Sequence, residues 1–336
     1  MAAAAWLLLV TLTSSALAGS TASHAPIGAP GTAIAAAATR AGVLFGLGPE
    51  ADGARRSPLR AAARIGMLSS WYNGPSDLGW MTAWKDTEIR RDYAAGYALH
   101  LIVWSGEAHT ILQTRYGPAC GQAYPLSGRF LTDMERLARA FTAPPGRRLY
   151  VTLFSEFQTY ACNGNAWSSD ARTSAYFGAL EDQYRRALAI FHRLAPGSAV
   201  SLGWGGWQAR WNAPASGGGR SLFAHFASVM RASDFESFDV IGSGSAASDM
   251  LAMTRQLARF GPVMLAYYKP GEPTAAGRRA ELATVLSASL LGRLTRERLF
   301  AFGFMDDGFA AGDPASVAIV RRAVASSGCR GCAMPH

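Results

Sequence analysis

Two carboxylates close apolar runs in this sequence. Glu156 ends the stretch Leu149-Tyr-Val-Thr-Leu-Phe-Ser-Glu, and Asp306 ends Leu299-Phe-Ala-Phe-Gly-Phe-Met-Asp. Hydrolysis of a glycosidic bond ordinarily uses two carboxyl groups. One gives a proton to the leaving oxygen, and the other acts as nucleophile or as base toward water. Apolar neighbours such as Trp104, Phe154 and Phe157 would raise the pKa of one carboxyl by desolvating its charged form, as a proton donor needs. Glu156 is therefore the candidate acid/base and Asp306 the candidate second carboxylate, with Glu107 and Glu272 as alternatives. The competing reading of Asp306 and Asp307 is a helix cap or a salt bridge to a nearby arginine.

Aromatic and polar residues follow the same kind of apolar run elsewhere. Trp71, Trp104, Glu107, Gln158, Tyr160, Trp204, Trp207, Tyr267, Tyr268 and Lys269 form the candidate substrate-binding set. Flat rings pack against the C–H faces of sugars while their polar tips hydrogen-bond hydroxyls. Trp80 and Trp84 read instead as packing between strands and helices. Tyr267 or Tyr268 with Lys269 would also suit a polysaccharide lyase acting on an acidic glycan. There is no H-E-x-x-H, no G-x-S-x-G and no His/Asp pattern at metal spacing, so neither a metal nor a cofactor is expected. His100 reads as a core residue and His192 and His225 as helix residues. His109 is placed for function but has no evident partner.

The elements that must hold these residues repeat in order. Short apolar runs at 43–47, 65–69, 99–104, 149–154, 200–204, 238–241, 263–267 and 299–304 are continuous blocks, the pattern of parallel strands buried on both faces. Amphipathic segments separate them: Met134, Leu137 and Ala138 share one helix face, as do Tyr184, Leu188 and Phe191. Helix starts are marked by Ser76-Asp77, Ser127 and Asp313-Pro314. Eight β-then-α units predict an α/β fold, a (β/α)8 TIM barrel over residues 42–328, with its chemistry at the C-terminal ends of the strands. Gly217-Gly218-Gly219 lacks phosphate-loop spacing and reads as a flexible turn.

Composition bounds the function. The chain has 336 residues, 49% hydrophobic and 16% charged, which excludes a disordered protein. The net charge of +9 rests on scattered arginines, since Lys85 and Lys269 are the only lysines. No polybasic run exists, so no nucleic-acid partner is expected. Residues 1–18 read as a signal peptide ending in Ala16-Leu17-Ala18, too short for a membrane span. Residues 19–41 then form a loose linker rich in Ala, Gly, Ser, Thr and Pro. Four cysteines suit an exported protein with two disulfides. Cys329 and Cys332 would staple the tail, residues 329–336, and Cys120 and Cys162 would bridge two loops. The expectation is a secreted or periplasmic monomer whose partner is a polysaccharide or oligosaccharide.

Several segments carry a resemblance. Gly128-Arg-Phe-Leu-Thr-Asp-Met, Leu153-Phe-Ser-Glu-Phe-Gln, residues 235–241 and Gly261-Pro-Val-Met-Leu are together similar to clan A glycoside hydrolases, and most resemble glycoside hydrolase family 26. The resemblance implies a TIM-barrel glycosidase with Glu156 as general acid/base. The sequence departs from that pattern in two places. Ser155 stands where the family has His. The seventh strand ends Ala266-Tyr267-Tyr268-Lys269, without the clan's nucleophilic Glu. This leaves two outcomes: a hydrolase with a relocated second carboxylate, or a non-catalytic carbohydrate-binding barrel.

Overall fold

A computed structural model describes residues 42–49, 51, 57–211, 220–242, 244–330, 332 and 334. The signal peptide and linker expectations, Gly217-Gly218-Gly219 and Ser243 lie outside the described residues. All eight apolar runs form strands. They are β1 (Leu44–Leu47), β2 (Met67–Tyr72), β3 (Ala98–Val103), β6 (Leu149–Leu153), β7 (Ser198–Gly205), β8 (Glu236–Ile241), β9 (Val263–Lys269) and β10 (Leu299–Phe304). They pair in parallel and close into a barrel in the order β1-β10-β9-β8-β7-β6-β3-β2, which is the expected (β/α)8 fold. One element was not expected. A hairpin of β4 (His109–Thr114) and β5 (Gly117–Gln122) is inserted after β3.

Helices start where local chemistry predicts. Ser127 Oγ accepts from the Phe130 amide at 3.1 Å and opens the helix Gly128–Phe141. Asp313 accepts from the Ala315 and Ser316 amides and opens the helix Pro314–Ser327. Each cap satisfies backbone donors that the first turn leaves unpaired. Leu137 and Phe141 bury one helix face in the main core, which lies between barrel and helices.

The barrel interior is layered. Leu44, Met67, Tyr150, Met264 and Phe300 fill the end nearest the strand N-termini. A polar ring sits above them. His100 faces Ser69 at 3.2 Å and Thr152 at 2.9 Å, Thr152 donates to Ser237 at 3.1 Å, and Ser201 lies 2.7 Å from Ser237. His100 is fully buried, and desolvation lowers its pKa to about 3, so it is a neutral link in that ring. The top layer is Ile102, Ala266 and Tyr267, with Trp71 and Met305 against them.

Both disulfides form. Cys120–Cys162 joins β5 to the loop after β6, with Cα atoms 5.5 Å apart, and Cys329–Cys332 closes the segment after the last helix. The first bridge ties the hairpin to the loop that carries Gln158 and Tyr160. The Gly121–Ala161 bridge and the bond from His109 Nε2 to the Thr159 carbonyl at 2.9 Å reinforce it.

One buried acid has no evident role in the site. Glu236 at the start of β8 is fully buried, and among the described residues no donor reaches either carboxyl oxygen. Desolvation therefore holds its pKa well above the usual carboxylate range. The folded protein binds this proton more tightly than the unfolded chain does. The resulting stability is complete below the ordinary carboxylate pKa and is lost as pH rises through the raised folded value. Glu236→Gln cannot ionise, so its stability relative to wild type should improve between pH 5 and pH 9. Urea unfolding at the two pH values checks this, and an unchanged difference would contradict it.

Candidate functional site

Glu156 follows β6 at the barrel mouth, where the backbone doubles back. Phe154 and Glu156 both adopt left-handed conformations, with φ of 55° and 57°. Each such residue costs on the order of 1–3 kcal/mol and persists only where surroundings enforce it. Here the Ser155 amide donates to the Val103 carbonyl at 2.8 Å, and the Phe154 ring stacks on Phe130 at 4.8 Å. The Thr159 amide donates to the Glu156 carbonyl at 2.8 Å. Gly203 on β7 makes room for the turn, since a Cβ there would lie 2.6 Å from Ser155 Cα.

Two neighbours complete the centre. On β9 the register slips by one residue between Leu265 and Tyr267, so that Asp239 pairs with Tyr267. The slip is a bulge at Ala266, and Gly303 accommodates it, because a Cβ there would collide with the Ala266 carbonyl oxygen. The bulge turns Ala266 and Tyr267 both inward. The Tyr267 hydroxyl lies 3.0 Å from Ser155 Oγ and donates to Glu156 Oε1 at 3.4 Å. With Ser155 donating to the phenol oxygen, the single phenolic proton is left for Glu156.

Asp239 is the second neighbour. It points inward from β8, is 1% exposed, and no amide or hydroxyl among the described residues donates to either oxygen. Its carboxyl interacts with that of Glu156. Two carboxylates cannot hydrogen-bond unless one keeps a proton. Burial, then the Glu156 charge, hold the Asp239 pKa well above its ordinary value. Burial also raises Glu156, opposed by the bonds from Asp239 and Tyr267. Asp239 is thus the member that holds its proton more tightly, and Glu156, the less buried, lies nearer the mouth. Two acids in contact titrate as one unit.

The remaining expected residues divide. Trp71 is half-buried in the top layer, its ring meeting Tyr267 edge-on at 5.6 Å. Trp104 and Trp207 are half-buried, each ring over a glycine, Gly106 and Gly205 respectively. Glu107 is exposed and accepts from the Tyr124 amide at 2.8 Å, so it fixes a loop. Asp306 pairs with Lys269 at 3.1 Å and accepts from the Gly308 amide at 2.8 Å, so the expected ion pair forms with a lysine rather than an arginine. In the barrel order β10 stands opposite β6, which puts Asp306 and Glu156 on opposite sides of the mouth.

Four expected binding residues are corrected. Trp204 is fully buried among Phe157, Phe223 and Phe226, so it packs the layer between barrel and helices. Tyr268 is fully buried on the outward face of β9 and donates to Glu281 at 2.8 Å. Tyr160 is fully buried with its hydroxyl accepting from the Ser105 amide at 3.0 Å. Gln158 spends its amide on the backbone of Gly205 and on Gln208. Asp239 was missed because it sits inside an apolar run. The available signal was an acid in the middle of a strand buried on both faces.

Among the described residues no group of three or more His, Cys, Asp or Glu could hold a metal, and no helix is long and apolar enough to cross a membrane. No family model and no curated protein matches the chain. Solved structures are similar to it at low identity. An exo-β-1,4-mannosidase from Opitutaceae bacterium strain TAV5 is 12% identical with a TM-score of 0.49, over 80% of this chain and 54% of that one. A GH53 catalytic domain from Ignisphaera aggregans is 11% identical with a TM-score of 0.46, over 79% and 80%. A psychrophilic glycoside hydrolase family 10 endo-β-1,4-xylanase is 10% identical with a TM-score of 0.48, over 79% and 86%. This chain thus spans little more than half of the mannosidase. No residue role or substrate is taken from these structures, and the family 26 resemblance finds no support in them.

The burial of Trp204 makes a prediction. Trp204→Ala should cost about 3–5 kcal/mol of stability, the range for removing a buried aromatic side chain. Denaturant unfolding measures it; a loss below about 1 kcal/mol would place the ring outside the core.

Proposed function

We propose that the protein is an exported glycoside hydrolase that cleaves a polysaccharide, with Glu156 as its proton donor. The observation that carries this reading is the contact between Glu156 and Asp239 at the mouth of the barrel, where burial keeps protons on both groups above the usual carboxylate range. Barrels of this type keep their chemistry at the C-terminal strand ends. The mouth also carries half-buried indoles, Trp71, Trp104 and Trp207, that suit sugar rings. Two disulfides and the signal-like N-terminal sequence support export.

In this reading a sugar residue lies over Trp71 with its glycosidic oxygen at Glu156. Glu156 gives its proton to that oxygen as the C–O bond breaks. Burial keeps the acid pKa high against the opposing influence of Asp239 and Tyr267, and Tyr267 orients the carboxyl. Asp306 on the far side takes a proton from the attacking water, while Lys269 holds it in place. Proton donor and base on opposite sides of the ring, with water between them, give inversion at the anomeric carbon.

A carbohydrate-binding barrel without catalysis is the second reading. One observation favours it: Asp239 touches Glu156 rather than flanking a bond, and Asp306 is already engaged by Lys269.

Assays of released reducing ends on a panel of neutral and acidic polysaccharides separate the two. Wild type should release them, and Glu156→Gln should lower turnover by about 10²–10⁴ with little change in affinity. Binding without release by wild type would overturn the hydrolase reading. Asp239→Leu removes the carboxyl that opposes the rise in the Glu156 pKa and so should raise the pH at which activity falls on the alkaline side. An unmoved alkaline limb would remove Asp239 from the acid's control.

A further inference from the structure

A cleft of 430 Å³ opens across the barrel mouth from the carboxyl pair, between the ends of β2 and β10 and the helix Leu78–Ala83. Its walls include Ser70, Trp71, Asn73, Trp80, Trp84 and Asp306. Trp80 departs from its expected role as packing. It is 43% exposed, while Trp84 is partly buried against the core. The two rings lie 4.6 Å apart at 58°, so Trp84 backs Trp80 and holds it at the cleft. An indole kept in water at this exposure costs hydrophobic free energy that a ligand would recover.

A second observation points to a ligand. Ser70 lines the cleft and is 2% exposed, yet its hydroxyl has no hydrogen-bond partner among the described residues. A buried hydroxyl left unpaired is unfavourable, and a ligand hydroxyl entering the cleft would satisfy it. Asn73 and Asp306 add polar atoms to the wall. The cleft also shares a wall with the carboxyl pair, since the Trp71 ring meets Tyr267, whose hydroxyl donates to Glu156.

Resting on the glycosidase reading, we propose that this cleft is a binding subsite for a neutral pyranose unit of the same glycan chain, next to the unit at Glu156. Apolar ring faces with scattered hydroxyl partners match a sugar, which presents C–H groups on its faces and hydroxyls at its edge. The neutral class follows from charge. A uronate in the cleft would face Asp306, whose carboxylate accepts hydrogen bonds but cannot donate them. Lys269 is already committed to Asp306. Because the cleft lies beyond the cleavage point, affinity rises with chain length, and Trp80 sets the gain.

The test uses the Glu156→Gln protein, so that ligands persist, and isothermal titration with β-1,4-linked gluco- and manno-oligosaccharides of two and six units, with hexagalacturonate as the acidic probe. The expected result is tighter binding of a neutral hexasaccharide than of its disaccharide. Adding Trp80→Ala should then weaken hexasaccharide binding roughly three- to tenfold and leave the disaccharide unchanged. Trp80→Phe should recover part of the loss, and unchanged thermal unfolding excludes a folding defect. Hexasaccharide binding that ignores Trp80→Ala overturns the subsite while leaving the glycosidase reading in place. Tighter binding of hexagalacturonate overturns the neutral class. Failure to bind any neutral probe, with reducing ends released from no polysaccharide, overturns both.

Discussion

The arrangement at the barrel mouth depends on the buried carboxyl pair of Glu156 and Asp239. Among the described residues no hydrogen bond of ordinary geometry reaches either Asp239 oxygen, and the Tyr267 hydroxyl donates to the Glu156 carboxyl. Two ionised acids at this depth would repel each other in a poorly screened environment, so the pair stays assembled only while protonated. Much of the local backbone serves that contact. The left-handed turn at Phe154 and Glu156 carries one acid over the mouth, and Gly203 leaves space for it. The bulge at Ala266, accommodated by Gly303, brings Tyr267 level with Asp239. The polar ring around His100 lies directly below and places hydroxyls rather than aliphatic groups beneath the acids.

The strands were legible because burial on both faces writes a continuous apolar run, and each of the eight runs is a barrel strand. Glu156 was legible for the same reason, as the first acid after such a run. Asp239 was not, because Phe238-Asp239-Val240-Ile241 reads as an uninterrupted strand and the inward direction of one residue cannot be seen in it. Tyr267 and Tyr268 show the limit more sharply. Simple alternation would place one inward and one outward, but which is which depends on the bulge at Ala266. The bulge turns Tyr267 to the acids and leaves Tyr268 bonded to Glu281 behind the strand. The hairpin β4–β5 was missed because the residues of β4 are mostly exposed and write no core pattern, as the 53% exposure of Ile111 illustrates.

The aromatic residues divide by the face of the strand they leave. Trp204 and Tyr268 point outward and stabilise the layer between barrel and helices, whereas Trp71 and Tyr267 point inward and line the mouth. Clustering of aromatics after strands in sequence therefore mixes two populations with different energetics. The outward set is dry and its removal costs stability. Of the inward set Tyr267 is itself buried, whereas Trp71, with Trp80 at the adjoining cleft, retains exposure that binding would remove.

The central claim is that the two buried carboxyls titrate as a raised, interacting pair, and carbon-13 NMR titration of the side-chain carboxyls measures it directly, with Glu156→Gln and Asp239→Asn supplying the assignments. Coupled titration is predicted, with both signals shifting above the ordinary range and Asp239 the last to lose its proton. Independent titration of both acids near their ordinary values of about 3.9 and 4.3 would contradict it.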